Sequence, residues 1–91
     1  MFSDLSEVRA NINQIDCEIL QLLAQRQQIV LQIAKIKKDK NLPLRDVKRE
    51  QELLDYLVRY AKEQELLLEP EYITQMFKRI MAESLSIQKR C

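Results

Sequence analysis

Arg26 stands where an apolar residue is expected. Leu5, Val8, Ile12, Ile15, Ile19, Leu22, Ile29, Ile33 and Ile36 recur at alternating steps of three and four, and position 26 fills one slot of that series. A guanidinium on an apolar seam is costly to bury unless an anion meets it. The plain alternatives are a partly exposed arginine and one paired with a carboxylate inside a bundle. Two further apolar series are interrupted in the same way. Val47, Glu50, Leu54, Leu57 and Ala61 form one, with Glu50 as its polar member. Ile73, Phe77, Met81, Ser84 and Gln88 form the other, with polar residues in the last two slots. Glu50 also reads plainly as a first-turn acid favoured by the helix dipole and paired with neighbouring Arg49. Ser84 and Gln88 also fit a helix end whose core face has run out, although Leu85 and Ile87 among them weigh against it.

The chain holds no histidine to act as base for Cys17 or Cys91, so no cysteine–histidine nucleophile–base pair is available. With no glycine in the chain, no glycine-rich loop can cradle a phosphate. The remaining set is cationic and hydrogen-bonding: Arg9, Arg26, Lys37 and Arg49, with Glu50, Ser84 and Gln88. Arginine forks match carboxylate oxygens. Such a set suits a small carboxylate-bearing substrate and catalysis by positioning and electrostatics. Arg26 and Lys37 lie about 16 Å apart along a helix and within ~20° around it, so both can reach one ligand. Arg9 lies about 42 Å from Lys37 on the same helix, so Arg9 can serve that ligand only from a second, antiparallel copy.

These residues need long helices to place them. The absence of glycine and the presence of only two prolines argue against tight sheet turns and for an all-α fold. Ser3 or Asp4 can cap the first helix, Asp4 and Glu7 have capping-box spacing, and nothing breaks the period before Lys40. The expected elements are helices over about 4–40, 45–64 and 70–90, in a single domain spanning 1–91. Asn41-Leu42-Pro43 ends the first, and Pro70 opens the third. A helix of roughly 55 Å cannot be covered by the rest of so short a chain. The surplus seam predicts an intertwined homodimer.

Composition excludes several functions. Fifteen basic and fourteen acidic residues leave a net charge of +1, with no electrostatic footprint for nucleic acid. No apolar run approaches a membrane span, and the amino terminus lacks the basic and apolar regions of a signal peptide. A cytoplasmic chain with free thiols is expected. No metal-ligand spacing is present.

Taken in order, Val8-Arg9, Ile15-Asp16, Leu22-Leu23-Ala24-Gln25-Arg26, Ile33-Ala34-Lys35-Ile36-Lys37, Pro43-Leu44-Arg45-Asp46-Val47-Lys48-Arg49-Glu50, and Tyr72-Ile73 through Phe77 to Ser84 and Gln88 resemble the all-α chorismate mutases. The likeness is strongest to the bacterial domains that also occur fused to prephenate dehydratase, and it covers nearly the whole chain. It implies an intertwined helical dimer that needs no cofactor and converts chorismate to prephenate by a Claisen rearrangement. By the family pattern, Arg26 and the Arg9 of a second copy bind the substrate carboxylates. Lys37 and Gln88 donate to the ether oxygen, so Arg26, Lys37 and Gln88 are the expected catalytic residues. Glu50 binds the ring hydroxyl, helped by backbone near Asp46. Arg49 and Ser84 complete the polar wall, and Ile33, Met81 and Leu85 the apolar one.

Two other functions compete. Isochorismate-pyruvate lyase shares the fold that the resemblance implies but tends to lack the arginine–glutamate pair present here as Arg49 and Glu50. A non-catalytic helical dimerisation module explains the long seam equally well, but leaves the inward Arg26, Glu50, Ser84 and Gln88 without a purpose.

Overall fold

The computed structural model describes residues 4–90; Ser3 and Cys91, singled out above as a possible cap and a free thiol, lie outside them. Among the described residues the chain is all-α, in the order α1 (Leu5–Asp39), α2 (Val47–Glu63) and α3 (Pro70–Lys89). Helix α1 is capped by Asp4, whose carboxylate accepts from the Glu7 N–H at 2.9 Å. Helix α2 starts at Val47 rather than at 45. Asp46 is held in extended geometry and its carboxylate accepts from the Arg49 N–H at 3.0 Å, which leaves Arg45 in the connection. Pro70 occupies the first turn of α3, where a missing N–H costs nothing.

Helices α1 and α2 end in the same motif. After α1, Leu42 N–H bonds the Lys37 carbonyl at 2.7 Å and Asn41 N–H the Lys38 carbonyl at 3.2 Å; after α2, Leu66 N–H bonds the Ala61 carbonyl at 2.9 Å and Glu65 N–H the Lys62 carbonyl at 3.1 Å. These are Schellman caps, which place one residue in left-handed geometry. Glycine usually takes that place; here Asn41 (φ 57°) and Glu65 (φ 54°) do. Asparagine tolerates the conformation, whereas glutamate adopts it at a steric cost.

Helix α3 packs on both other helices, and α1 and α2 make no close backbone approach to each other. The internal core is small: Val30 and Ala34 of α1, Leu54 and Ala61 of α2, and Ile73 of α3 are buried. The face of α1 that meets α3 is therefore rotated from the seam read in the sequence. Leu5, Ile12, Ile15, Ile19, Leu22, Ile29, Ile33 and Ile36 all remain exposed, Leu22 at 63%. Val47, placed inward by its spacing, is exposed as well, at the first position of α2. The radius of gyration is 16.6 Å, against about 12 Å for a compact chain of this length. The long axis of 57 Å is set by α1. No helix among the described residues is long and apolar enough to cross a membrane.

Candidate active site

A cleft of about 360 Å³ opens where the carboxy-terminal half of α1, the start of α2 and the end of α3 converge. That size lies at the lower end of the range for small-molecule sites. Helix α1 contributes Arg26, Val30, Ile33 and Lys37; the connection and α2 contribute Leu44, Asp46, Arg49, Glu50 and Leu53; α3 contributes Met81, Ser84 and Gln88. Nine of the residues singled out in the sequence thus line one cleft: Arg26, Ile33, Lys37, Asp46, Arg49, Glu50, Met81, Ser84 and Gln88. Leu85 is half-buried but does not line it, because its place on α3 turns away from the row Met81, Ser84 and Gln88. Arg9 is exposed on the far half of α1, about 25 Å from Arg26 by helical rise.

Arg26 is half-buried, and its Nη1 donates to the Ser84 hydroxyl at 2.5 Å. Burial lowers the guanidinium's pKa from its ordinary value, and the nearby positive charge of Arg49 lowers it further. Among the described residues no carboxylate forms an ion pair with Arg26, Lys37 or Arg49. Paired cations of this kind make a receptor for an anion.

Lys37 donates from Nζ to the Leu44 carbonyl at 2.7 Å, which ties the α1–α2 connection against α1. An ammonium has three donors, so two remain for a ligand. Ser84 is buried, and its oxygen lies 2.9 Å from the Ile80 carbonyl and 3.4 Å from Gln27 Oε1. A hydroxyl has one proton to give, and the shorter distance assigns it to Ile80. Gln88 is half-buried, and its Oε1 is enclosed without a hydrogen-bond partner. The carboxylate of Asp46 is occupied in capping α2.

Glu50 pairs with Arg45, not with Arg49 as its position in sequence proposes. Arg45 Nε reaches Oε2 at 3.2 Å and Nη2 reaches Oε1 at 3.3 Å. These hydrogen bonds, and secondarily the negative charge of Glu50, raise the Arg45 pKa. Sequence reasoning does not single out Val30, Leu44 and Leu53. Val30 and Leu53 follow Arg26 and Arg49 by one helical turn, so their spacing carries a signal. The polar contribution of Leu44 is a backbone carbonyl, which no residue type announces. No group of three or more potential metal-ligating side chains occurs among the described residues.

Comparison with known proteins converges on one family. Residues 8–89 match the family Chorismate mutase type II. A bifunctional chorismate mutase/prephenate dehydratase of Buchnera aphidicola subsp. Schizaphis graminum is 43% identical over 97% of this chain, and its Escherichia coli K12 counterpart is 33% identical over 93%. The chain spans about a fifth (22%) of the length of each of these relatives. Among solved structures, chorismate mutase (form II) of Thermus thermophilus superposes with a TM-score of 0.86 at 32% identity, covering 94% of both chains. A conserved hypothetical protein from Pyrococcus furiosus superposes with a TM-score of 0.72 at 35% identity, covering 97% of this chain and 99% of its own.

Proposed function

The chain belongs to the chorismate mutase type II family, and on that footing we propose that it converts chorismate to prephenate in the cleft around Arg26. The observation that carries this reading is the half-buried Arg26 beside Arg49, unpaired with any carboxylate of the described residues, in a cleft that also holds Lys37 and Gln88. A substrate carboxylate supplies the missing anion. It gains charge-assisted hydrogen bonds from a guanidinium that Ser84 already orients.

The reaction moves no proton. The bond between the ether oxygen and its carbon lengthens before the new carbon–carbon bond is complete, so negative charge grows on that oxygen. Lys37 and Gln88 are the donors for it. Their hydrogen bonds strengthen as charge develops, which lowers the transition state more than the ground state. Lys37 is pre-positioned by the Leu44 carbonyl and still has donors to spare. Glu50 accepts from the ring hydroxyl, and Ile33, Val30 and Met81 supply the apolar surface against which the side chain folds over the ring.

The working unit is a homodimer. The exposed apolar row of α1 lies on a different face from its contact with α3. Each such side chain buried at an interface contributes about 1.5–3 kcal/mol. Packing two α1 helices antiparallel along this row carries Arg9 of one copy toward the Arg26 cleft of the other, which closes the open side of the site.

The test follows the loss of chorismate absorbance with purified protein and identifies the product by chromatography. Prephenate is the expected product. Absence of turnover by a folded protein, or release of pyruvate from isochorismate instead, would overturn the reading.

A further inference from the structure

Two acids line the cleft, Asp46 and Glu50, and three cations line it with them, Arg26, Lys37 and Arg49. Asp46 is committed to the α2 cap. Glu50 has no such tie to its own helix. A carboxylate sharing a cleft with unpaired cations is drawn toward them by Coulomb attraction. Left to itself, the Glu50 side chain would turn toward the cations and take the place of a substrate carboxylate. It does not, because Arg45 holds both of its oxygens.

Arg45 does not line the cleft. It lines an adjoining pocket with Val47, Gln51 and Lys78, and Glu50 and Met81 belong to both spaces. Glu50 is thus a wall between the two, gripped from the outer side. Each carboxylate oxygen has two lone-pair directions, so a fork that engages one on each leaves the others free. The Arg45 side chain is 61% exposed, and ion pairs so exposed add little to stability. What the pair does supply is orientation, since two parallel bonds fix a carboxylate plane as one cannot.

We infer that Arg45 is a positioning residue for the reaction: its guanidinium fork keeps the Glu50 carboxylate out of the anion-binding part of the cleft and turned toward the ring hydroxyl of the substrate. This rests on the reading of the cleft as a chorismate site. Arg45 touches neither substrate nor reacting atoms and acts through Glu50 alone.

The experiment is a double-mutant cycle on the full chain, with Arg45→Ala, Glu50→Gln and the combination assayed for chorismate turnover. Arg45→Ala is expected to lower kcat/KM about tenfold, mainly by raising KM, because the released carboxylate competes with those of the substrate. In the Glu50→Gln background the same change is expected to leave kcat/KM within about twofold. Thermal unfolding of Arg45→Ala should match that of the parent chain. Equal losses in both backgrounds, or no loss in either, would overturn the inference. If the parent chain does not turn over chorismate, the reading of the cleft fails separately. The grip is then judged by the Arg45 Nε–H resonance, which Glu50→Gln must shift; an unmoved resonance would show that no such pair exists.

Discussion

Arg26 donates from Nη1 to the hydroxyl of Ser84 at 2.5 Å, joining α1 to α3 across 58 positions of sequence. The serine's own proton goes to the Ile80 carbonyl one turn back on α3. Ser84 therefore meets Arg26 as an acceptor with a fixed direction, and the guanidinium is aimed before any ligand arrives. One of its five donors is spent in this way and four remain. The same bond places a cation within the contact between two helices, where a structural role alone would favour an apolar residue.

Replacing Arg26 with Ala separates a binding role from a structural one. Hydrogen bonds to charged groups contribute about 1.5–3 kcal/mol each, so losing a carboxylate clamp should lower kcat/KM by roughly 100-fold or more. Helical content and oligomeric state should be unchanged, and the melting temperature should stay level or rise, since a partly desolvated charge is removed. Circular dichroism melts and steady-state kinetics on the same preparation check both halves.

Lys37→Ala should act on the chemical step. A donor preplaced on a developing oxyanion is typically worth about 2.7–4 kcal/mol, so kcat should fall by roughly 10²–10³ with a smaller change in KM. A loss confined to KM would assign Lys37 to ground-state binding instead.

The three helices are legible in the sequence because period, caps and breakers agree. Asp4, Pro43 and Pro70 each stand within a few residues of an observed boundary. Less legible is which apolar face meets which partner. The spacing reads Ile29 and Ile33 as inward, yet Val30 and Ala34 are the residues buried against α3. Two apolar rows run side by side on α1, and a periodicity count cannot assign one to α3 and the other to a second copy. The polar members of the site stand out by their type in an apolar row. The Arg45–Glu50 pair escapes sequence reasoning because Arg45 lies before the helix, where spacing rules do not reach. Leu44 escapes it because its side chain says nothing about its carbonyl.

Activity should vary little between about pH 5 and 8, where ordinary lysine and arginine side chains stay charged. No proton is transferred, and Gln88 donates from an amide that does not titrate in this range. Arg26 has a lowered pKa, so in strongly alkaline solution the folded chain releases this proton before the unfolded one. Its contribution to stability therefore rises with pH only there. Gln88→Glu should introduce a pH dependence, with activity falling as pH rises and the new carboxyl ionises and ceases to donate. A parent profile that already falls like a single carboxyl titration would contradict the role given to Gln88.

Glu65 sits at φ 54° in the Schellman cap of α2. Left-handed geometry costs a non-glycine residue roughly 1–3 kcal/mol, and glycine gives back about 0.5–1 kcal/mol through unfolded-state entropy. Glu65→Gly should therefore stabilise the chain by roughly 1 kcal/mol in denaturant unfolding, with chorismate turnover unchanged. Glu65 lies in the α2–α3 connection, away from the cleft.

The most direct measurement is chorismate-to-prephenate turnover by a co-refolded equal mixture of Arg9→Ala and Arg26→Ala chains. Each variant alone should be nearly inactive. In a mixed dimer, one site combines the intact Arg26 of one copy with the intact Arg9 of the other, and the second site lacks both. Random pairing makes half the dimers mixed, so the mixture should recover about a quarter of the parent rate. A mixture no more active than its components would contradict a site shared between two copies.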